Sequence, residues 1–359
     1  MPDFEGLLVH QSTPLNAEAP LDRLRRSFVT ACEQFYIRSH GPVPRLDASS
    51  HRVRVGGSVA RPLELSLQDL RERFARHTVM ATLQCAGNRR AELDRVKPVT
   101  GIKWGAGAIG NAEWTGAPLV DVLSAAGVGK NAHLHVAFAS LDWVEIEQRR
   151  FTYGVSIPLT AAIQPDVLLA YDMNGRPLSP EHGAPVRVIV PGLIGARSAK
   201  WLSAVQVQQQ PSDNYFQRYD YKLFPPDVEQ DRVDWAEGLT LNDQPVNAVI
   251  CQPADGVVLT AGTVDVRGYA FAGSRSIERV YLSADQGRTW TRAALERPAD
   301  TPWAWTFWEA QLRLAAGEHE LAVRAVDQAG QAQPANTREV WNFKGYVNNA
   351  WHRVRLTLR

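Results

Sequence analysis

Cys85 is the side chain of this sequence best placed to do chemistry. It follows the apolar, β-branched run Val79-Met80-Ala81-Thr82-Leu83, which reads as a buried strand. Gln84-Cys85-Ala86-Gly87-Asn88 then lets the backbone turn sharply, and Arg89 and Arg90 follow at once. A thiol at the mouth of a strand, with two permanent cations within reach, is expected to have a depressed pKa and to exist largely as thiolate. Thiolate suits a metal or a covalent intermediate. The plainer alternative is a buried, inert cysteine beside surface arginines.

Other polar groups gather around short motifs. Arg38 and His40 lie two apart before the Gly41-Pro42 turn, hence on one side of any strand, where they could hold an anion or form a solvated face. His182, Arg187, Arg197 and Lys200 are interleaved with glycines and strand ends in SPEHGAPVRVIVPGLIGARSAKWLSAV. A phosphate-bearing cofactor requires that pattern, since cations and backbone N–H groups share its charge. Tyr221, in YFQRYDYKLFPP, has a hydroxyl that can hydrogen-bond an oxyanion without ionising. Trp104 sits in the Gly-rich GIKWGAGAIG, which does not fit a GxGxxG nucleotide turn. His133 and His135 share a strand face, but with no third ligand nearby they read as ordinary strand histidines.

The elements that must position these groups are legible in outline. Residues 1–20 read as an extended lead-in and 21–34 as a short helix. Residues 52–65 read as strands broken at Gly56-Gly57, and Ser66 as the N-cap of a helix carrying Leu67, Leu70 and Phe74. A second helix starts near Pro118, carries Leu119, Val122 and Leu123, and stops at Gly127. AHLHVAFA is strand-like and ends at Asp142. PLTAAI is a short helix, VLLAYDMNGRPL a strand entering an Asn174-Gly175 hairpin turn, and PVRVIVP a buried strand. From about residue 245 strand-length alternating segments broken by Gly, Asp and Pro read as an immunoglobulin-like β-sandwich. The expectation is an α+β protein in two domains, residues 1–244 and 245–359. In 303–308, WAWTFW carries four aromatics in six positions, so some should lie outside the sandwich core and could meet a twin subunit.

Composition sets limits on function. The 359 residues are 45% hydrophobic and 21% charged with a net charge of +1, an ordinary globular balance that gives no general case for nucleic acid or membrane surface. Cys32, Cys85 and Cys251 are odd in number and far apart, which argues against a disulfide framework and for a reducing, cytoplasmic compartment. MPDFEGLLVH has no signal-like apolar core, and Arg25-Arg26-Ser27-Phe28 is not followed by the apolar run of a twin-arginine signal. No stretch approaches the roughly 20 apolar residues of a membrane span.

TLQCAGNRR closely resembles the segment of the sulfite oxidase family whose cysteine binds molybdenum. The resemblance extends, in order, over roughly residues 20–355. FYIRSHGPVP is similar to the family's FxVRNHxPVP, with Ser39 for Asn, and further matches are YGxSIPL, AYxMNGxPL, HGxPVRxxVPG, GARxxKWL, WQRRDYKGF and the closing NAWHRV. It implies Cys85 as the sole protein ligand to the metal of a molybdenum cofactor (Mo-molybdopterin). It implies Arg38, Arg90, Trp104, Tyr221 and Lys344 around a small oxyanion, with Asp220 and Lys222 supporting Tyr221. Cofactor contacts carry over to Tyr36, Ile37, Arg38, Ser39, His40, Cys85, Asp142, His182, Arg187, Ser198, Ala199 and Lys200. Ser198-Ala199 stands where His-Val is usual, so backbone contacts would survive there and a histidine contact would not. Lys344 stands where sulfite oxidases carry Arg and the related nitrate reductases Met; the alternative is a lysine pointing to solvent from the last strand.

The family implies oxidation of sulfite to sulfate, with two electrons passed to an external acceptor, and a homodimer through the C-terminal domain. Dioxygen or a separate carrier would serve as acceptor, since no haem, flavin or nicotinamide segment is recognised. Two alternatives stay open: oxo transfer in the reductive direction, as in nitrate reduction, and a non-catalytic cofactor-binding module.

Overall fold

A long hairpin organises the N-terminal two thirds of the chain in the computed structural model, which describes residues 6–129 and 132–359; the first five residues of the N-terminal segment discussed above lie outside it. Strands His135–Ile146 and Arg149–Pro158 pair antiparallel in a five-stranded sheet continued by Leu202–Gln208, Arg52–Gly57 and Leu63–Ser66. The first strand alternates, turning Val136, Phe138, Ser140 and Asp142 inward. It does not end at Asp142 as its sequence suggests. It continues to Ile146 through a register irregularity between Ala139 and Trp143, and this continuity aims the carboxyl into the interior.

A second sheet orders Arg176–Pro177, Leu168–Met173, Ile109–Pro118 and His77–Gln84, with Arg187–Ile189 also on Leu168–Met173. Its hairpin turns at Asn174 (φ 52°) and Gly175 (φ 73°), the two left-handed positions a tight two-residue turn needs. The helix Leu119–Ala126 buries Leu119, Val122 and Leu123 and stops at Gly127, φ 73°. Ser66 caps Leu67–Glu72 in a capping box closed by Asp69. Residues 21–34 hold two short pieces, Leu21–Leu24 and Cys32–Gln34, in place of one helix. Thr30 is buried between them and donates its N–H to the Asn111 carbonyl, drawing the chain off the helical path.

The C-terminal part is a β-sandwich, so the fold is α+β as its sequence suggests. One sheet orders Asn247–Gln252, Gly262–Phe271, Thr306–Leu314 and Ala294–Glu296. The other orders Val257–Leu259, His352–Leu358, Gly317–Asp327, Ile277–Ser283 and Thr291–Arg292. Val266, Val280, Leu282, Trp308, Leu321 and Val354 pack between them, and Cys251 is buried as a free thiol.

The aromatics of 303–308, some of them expected outside the core, are mostly buried within the chain. Trp305 and Phe307 are buried with Ala17, Leu24 and Ile109 of the N-terminal part, and Trp308 fills the sandwich core. Trp303 donates its indole N–H to Asp166, while its backbone accepts from Thr82 N–H. The excess of aromatic surface is consumed inside the chain, against the strand that carries Cys85.

Candidate functional site

Cys85 leaves the His77–Gln84 strand with its N–H on the Ala108 carbonyl, and its sulfur accepts from Gly87 N–H at 3.4 Å. Asn88 fixes the loop by accepting Ala108 N–H and donating to the Tyr269 hydroxyl. Arg89 takes φ 66° and the helix Arg90–Val96 begins. The two arginines spend their donors on groups other than the thiol. Arg89 is wholly buried, paired with Glu92 at 2.7 Å and donating to Asn247 Oδ1 and the Ala350 carbonyl. Arg90 donates to the carbonyls of Lys344, Gly345 and Ile102. Both are staples from the Cys85 loop to distant chain, because a buried guanidinium must spend its donors on fixed acceptors.

Arg38 shares the cavity with Cys85. It follows the Leu15–Glu18 strand by pairing and donates to Asn16 Oδ1 at 3.2 Å and the Ser39 carbonyl at 2.5 Å, with no carboxylate partner among the described residues. His40 bonds the Tyr221 hydroxyl at 2.9 Å and stacks on Tyr153 at 4.8 Å. Burial, then Arg38 and Lys200, hold the imidazole well below its usual pKa, so it is neutral. Burial, then the Asp220 charge against the opposing pull of Arg38, raises the Tyr221 phenol, so it remains a proton donor.

Along the same cavity lie Asp142, Glu181, His182, Arg187, Ser198, Ala199 and Lys200. Lys200 donates to the Glu181 carbonyl at 2.8 Å and the Ser39 hydroxyl at 3.3 Å; burial, then Arg187, push its ammonium well below the usual value. Arg187 donates to the carbonyls of His182 and Ser198, and burial lowers it to about 10. His182 donates from Nε2 to the Cys32 carbonyl and is lowered by burial to about 3. Burial raises Asp142 to about 6 against the opposing charge of Lys200.

Five residues expected at the site stand off the cavity wall. Ile37 packs into the apolar cluster beneath the N-terminal strands. Ser39 is buried behind Lys200. Arg90 is spent on carbonyls, and Trp104 is a fully buried core neighbour of Cys85. Lys344 is neither at the wall nor in solvent: its ammonium meets Asp220 at 2.5 Å, with the side chain only 11% exposed. Lys222, beside Tyr221 in sequence, turns to Gly238 and Thr240. His135 lies in the long hairpin and His133 just before it, both away from the cavity.

Sequence reasoning missed Phe35, Ser140, Tyr153, Glu181, Gly195 and Trp201 on the wall. Ser140 and Asp142 share strand parity, which could have flagged Ser140. Tyr153 donates to the Ala196 carbonyl in the turn Gly195–Arg197, a contact no local pattern encodes.

The cavity is bounded by Cys85, by cationic side chains and by buried polar atoms. Arg38, Arg187 and Lys200 face it with no ion pair, and Asp142 Oδ1, Arg187 Nε and Ser140 Oγ on its wall are buried without protein partners among the described residues. Three cations gathered around the carboxylates of Asp142 and Glu181 leave an excess of positive charge that calls for an anion. Among the described residues no three His, Cys, Asp or Glu side chains could together hold a metal, and Cys85 offers a soft sulfur donor on this wall. A phosphate-bearing, metal-carrying group fits both ends of this wall.

Residues 40–216 match an oxidoreductase molybdopterin binding domain, and 239–359 a Mo-co oxidoreductase dimerisation domain. The chain is 44% identical to the sulfite oxidase of Gallus gallus, over 98% of this chain and 78% of that protein. It is 41% identical to the sulfite oxidase of Arabidopsis thaliana, over 99% of this chain and 95% of that one. It spans 65% of the length of the mitochondrial sulfite oxidase of Rattus norvegicus, at 43% identity. The crystal structure of the sulfane dehydrogenase SoxCD from Paracoccus pantotrophus superposes with a TM-score of 0.81 at 27% identity, over 96% of this chain and 85% of that one.

Proposed function

From the premise that this chain belongs to the sulfite oxidase family of molybdenum-cofactor oxidoreductases, we propose that it oxidises sulfite to sulfate and passes two electrons to an external acceptor. The observation that carries this is Arg38: a half-buried guanidinium, without a carboxylate partner among the described residues, on the same wall as Cys85 and next to the His40–Tyr221 pair.

When bound, the molybdenum cofactor supplies two-electron oxo-transfer chemistry. The protein's part is to hold and orient. Cys85 offers the sulfur ligand. Lys200, Arg187 and His182, with the backbone of Ser198 and Ala199, hold the phosphate-bearing part, and Asp142 accepts N–H donors from the heterocycle. Arg38 binds the sulfite oxyanion in a site of low dielectric, where a fixed cation acts more strongly than in water. The Tyr221 hydroxyl, kept protonated and positioned by neutral His40, donates to the same anion. Sulfite and water give sulfate, two protons and two electrons, the electrons leaving to an acceptor outside this chain.

By neutralising Asp220 beside Tyr221, Lys344 keeps a carboxylate charge from opposing a doubly charged oxyanion, which favours sulfite over nitrate. Metal analysis of the purified protein should find molybdenum, and sulfite should reduce an artificial acceptor while nitrate fails to oxidise a reduced dye. The reverse pattern would establish nitrate reduction, and molybdenum without either turnover a storage module.

We infer further that the catalytic unit ends near residue 244 and the sandwich begins near 245. The sandwich joins two copies into a homodimer, for which the dimerisation-domain match is the support; a monomer mass by light scattering at micromolar concentration would count against it. Three free thiols favour a reducing, cytoplasmic location, open to test by cell fractionation. Among the described residues no helix is long and apolar enough to cross a membrane.

A further inference from the structure

Tyr36 places a second phenol on the cavity wall, and nothing in the mechanism above uses its hydroxyl. The residue is only 8% exposed. Its ring stacks on Phe35 at 5.3 Å, and Phe35 in turn meets Trp114 and His182 edge-on, each at 5.6 Å. The ring is therefore locked, and its oxygen lies against Gly195, where a Cβ would fall 2.6 Å from it.

Three other buried tyrosines are tied to protein. Tyr153 donates to the Ala196 carbonyl, Tyr269 to the Ala106 carbonyl, and Tyr221 bonds His40. Among the described residues the Tyr36 hydroxyl has no hydrogen-bond partner. The nearby Gln84 carbonyl already accepts from the Gln244 amide. A phenol keeps its proton at neutral pH, so this hydroxyl is a donor with no acceptor among the described residues. The wall it shares with Cys85, Arg38 and Arg187 is built to gather negative charge.

We propose that the Tyr36 hydroxyl donates a hydrogen bond to the anionic, metal-bearing end of the cofactor held at Cys85, and so raises its reduction potential. This rests on the cofactor assignment above. A fixed O–H dipole on an anionic donor atom favours the more electron-rich, reduced state, as hydrogen bonds to ligand sulfurs do in other metal centres. Tyr36 is in this sense a tuning residue, distinct from Tyr221, which faces the substrate anion.

The test is a redox titration of purified holoenzyme followed by the molybdenum electron paramagnetic resonance signal, with metal content measured on the same samples. Tyr36→Phe keeps the ring and removes the donor, so the midpoint should fall by about 59 mV, a tenfold change in a one-electron equilibrium, at undiminished molybdenum content. Replacing Tyr36 by 3-fluorotyrosine, a stronger donor of nearly the same shape, should move the midpoint the other way. Unmoved midpoints in both variants would overturn the proposal, as would a loss of molybdenum in Tyr36→Phe accompanied by an unmoved midpoint with 3-fluorotyrosine. Wild-type protein without molybdenum would instead defeat the cofactor assignment itself.

Discussion

Cys85→Ser replaces a soft donor with a hydroxyl that stays protonated at neutral pH. Turnover with sulfite should fall by orders of magnitude, while folding persists because the exchange of one atom removes little packing. Near-normal turnover at full molybdenum content would remove Cys85 from its role. Lys344 acts through a partner. Its ammonium holds Asp220, next in sequence to Tyr221, so Lys344→Met leaves a buried carboxylate uncompensated beside the substrate anion. The KM for sulfite should rise about tenfold or more, the scale of one charge-assisted hydrogen bond at roughly 1.5–3 kcal/mol; equal steady-state KM values in the two proteins would disprove it. The identities of these groups were legible in sequence, but their orientations were not. That Arg89 and Arg90 follow Cys85 says nothing of Asn247, Ala350 and Gly345, the remote groups that turn both guanidiniums away.

The two strands that carry Arg38 and Asp142 meet at a glycine. A Cβ on Gly41 would fall 1.9 Å from the Trp143 carbonyl oxygen, in the irregular stretch of the long hairpin. Gly41→Ala must therefore push the His40 segment away from the Asp142 strand. Overpacking of this kind costs about 1–3 kcal/mol, and it should lower the thermal midpoint and the molybdenum content together. A protein indistinguishable from wild type by both would show that the contact is dispensable. Period and turn chemistry made most elements readable: the capped Leu67–Glu72 helix, the Gly127 stop and the Asn174-Gly175 turn all lie where local residues put them. The irregularity that lets the strand run past Asp142 has no such local signature, since it is set by pairing with Arg149–Pro158.

The two parts of the molecule share one site. Asn88 donates to Tyr269, Gln84 to Gln244, and Trp305 N–H to the Thr82 hydroxyl, so the sandwich clamps the Cys85 strand from behind. This is why WAWTFW misleads when read alone: its surplus apolar surface has its partner more than 200 residues earlier in the chain. Acid should loosen the clamp. His352 accepts Ile250 N–H on Nδ1, and burial lowers it to about 4; His182 and His40 are likewise held neutral by burial. As pH falls below about 6.5, the unfolded chain takes protons that the folded chain refuses, which costs about 1.4 kcal/mol per unit for each histidine. Asp142, raised to about 6, binds its proton more readily when folded and offsets part of this below that pH. Three histidines outweigh one carboxyl, so the urea midpoint should fall between pH 6.5 and 5. A flat midpoint across that window would contradict the balance.

The unpaired cations of the cavity have a consequence for the life of the protein in the cell. A chain that gathers Arg38, Arg187 and Lys200 around two carboxylates, Asp142 and Glu181, is weakest before its anionic cofactor arrives. A ligand at a thousandfold excess over its Kd adds about 4 kcal/mol to the folded state, enough to decide whether a chain outlasts the proteases that sample unfolded forms. Cofactor supply should therefore govern abundance as well as activity. Cells starved of molybdenum cofactor should hold less of this protein at the same messenger level, and pulse-chase labelling would read the difference as a shortened half-life.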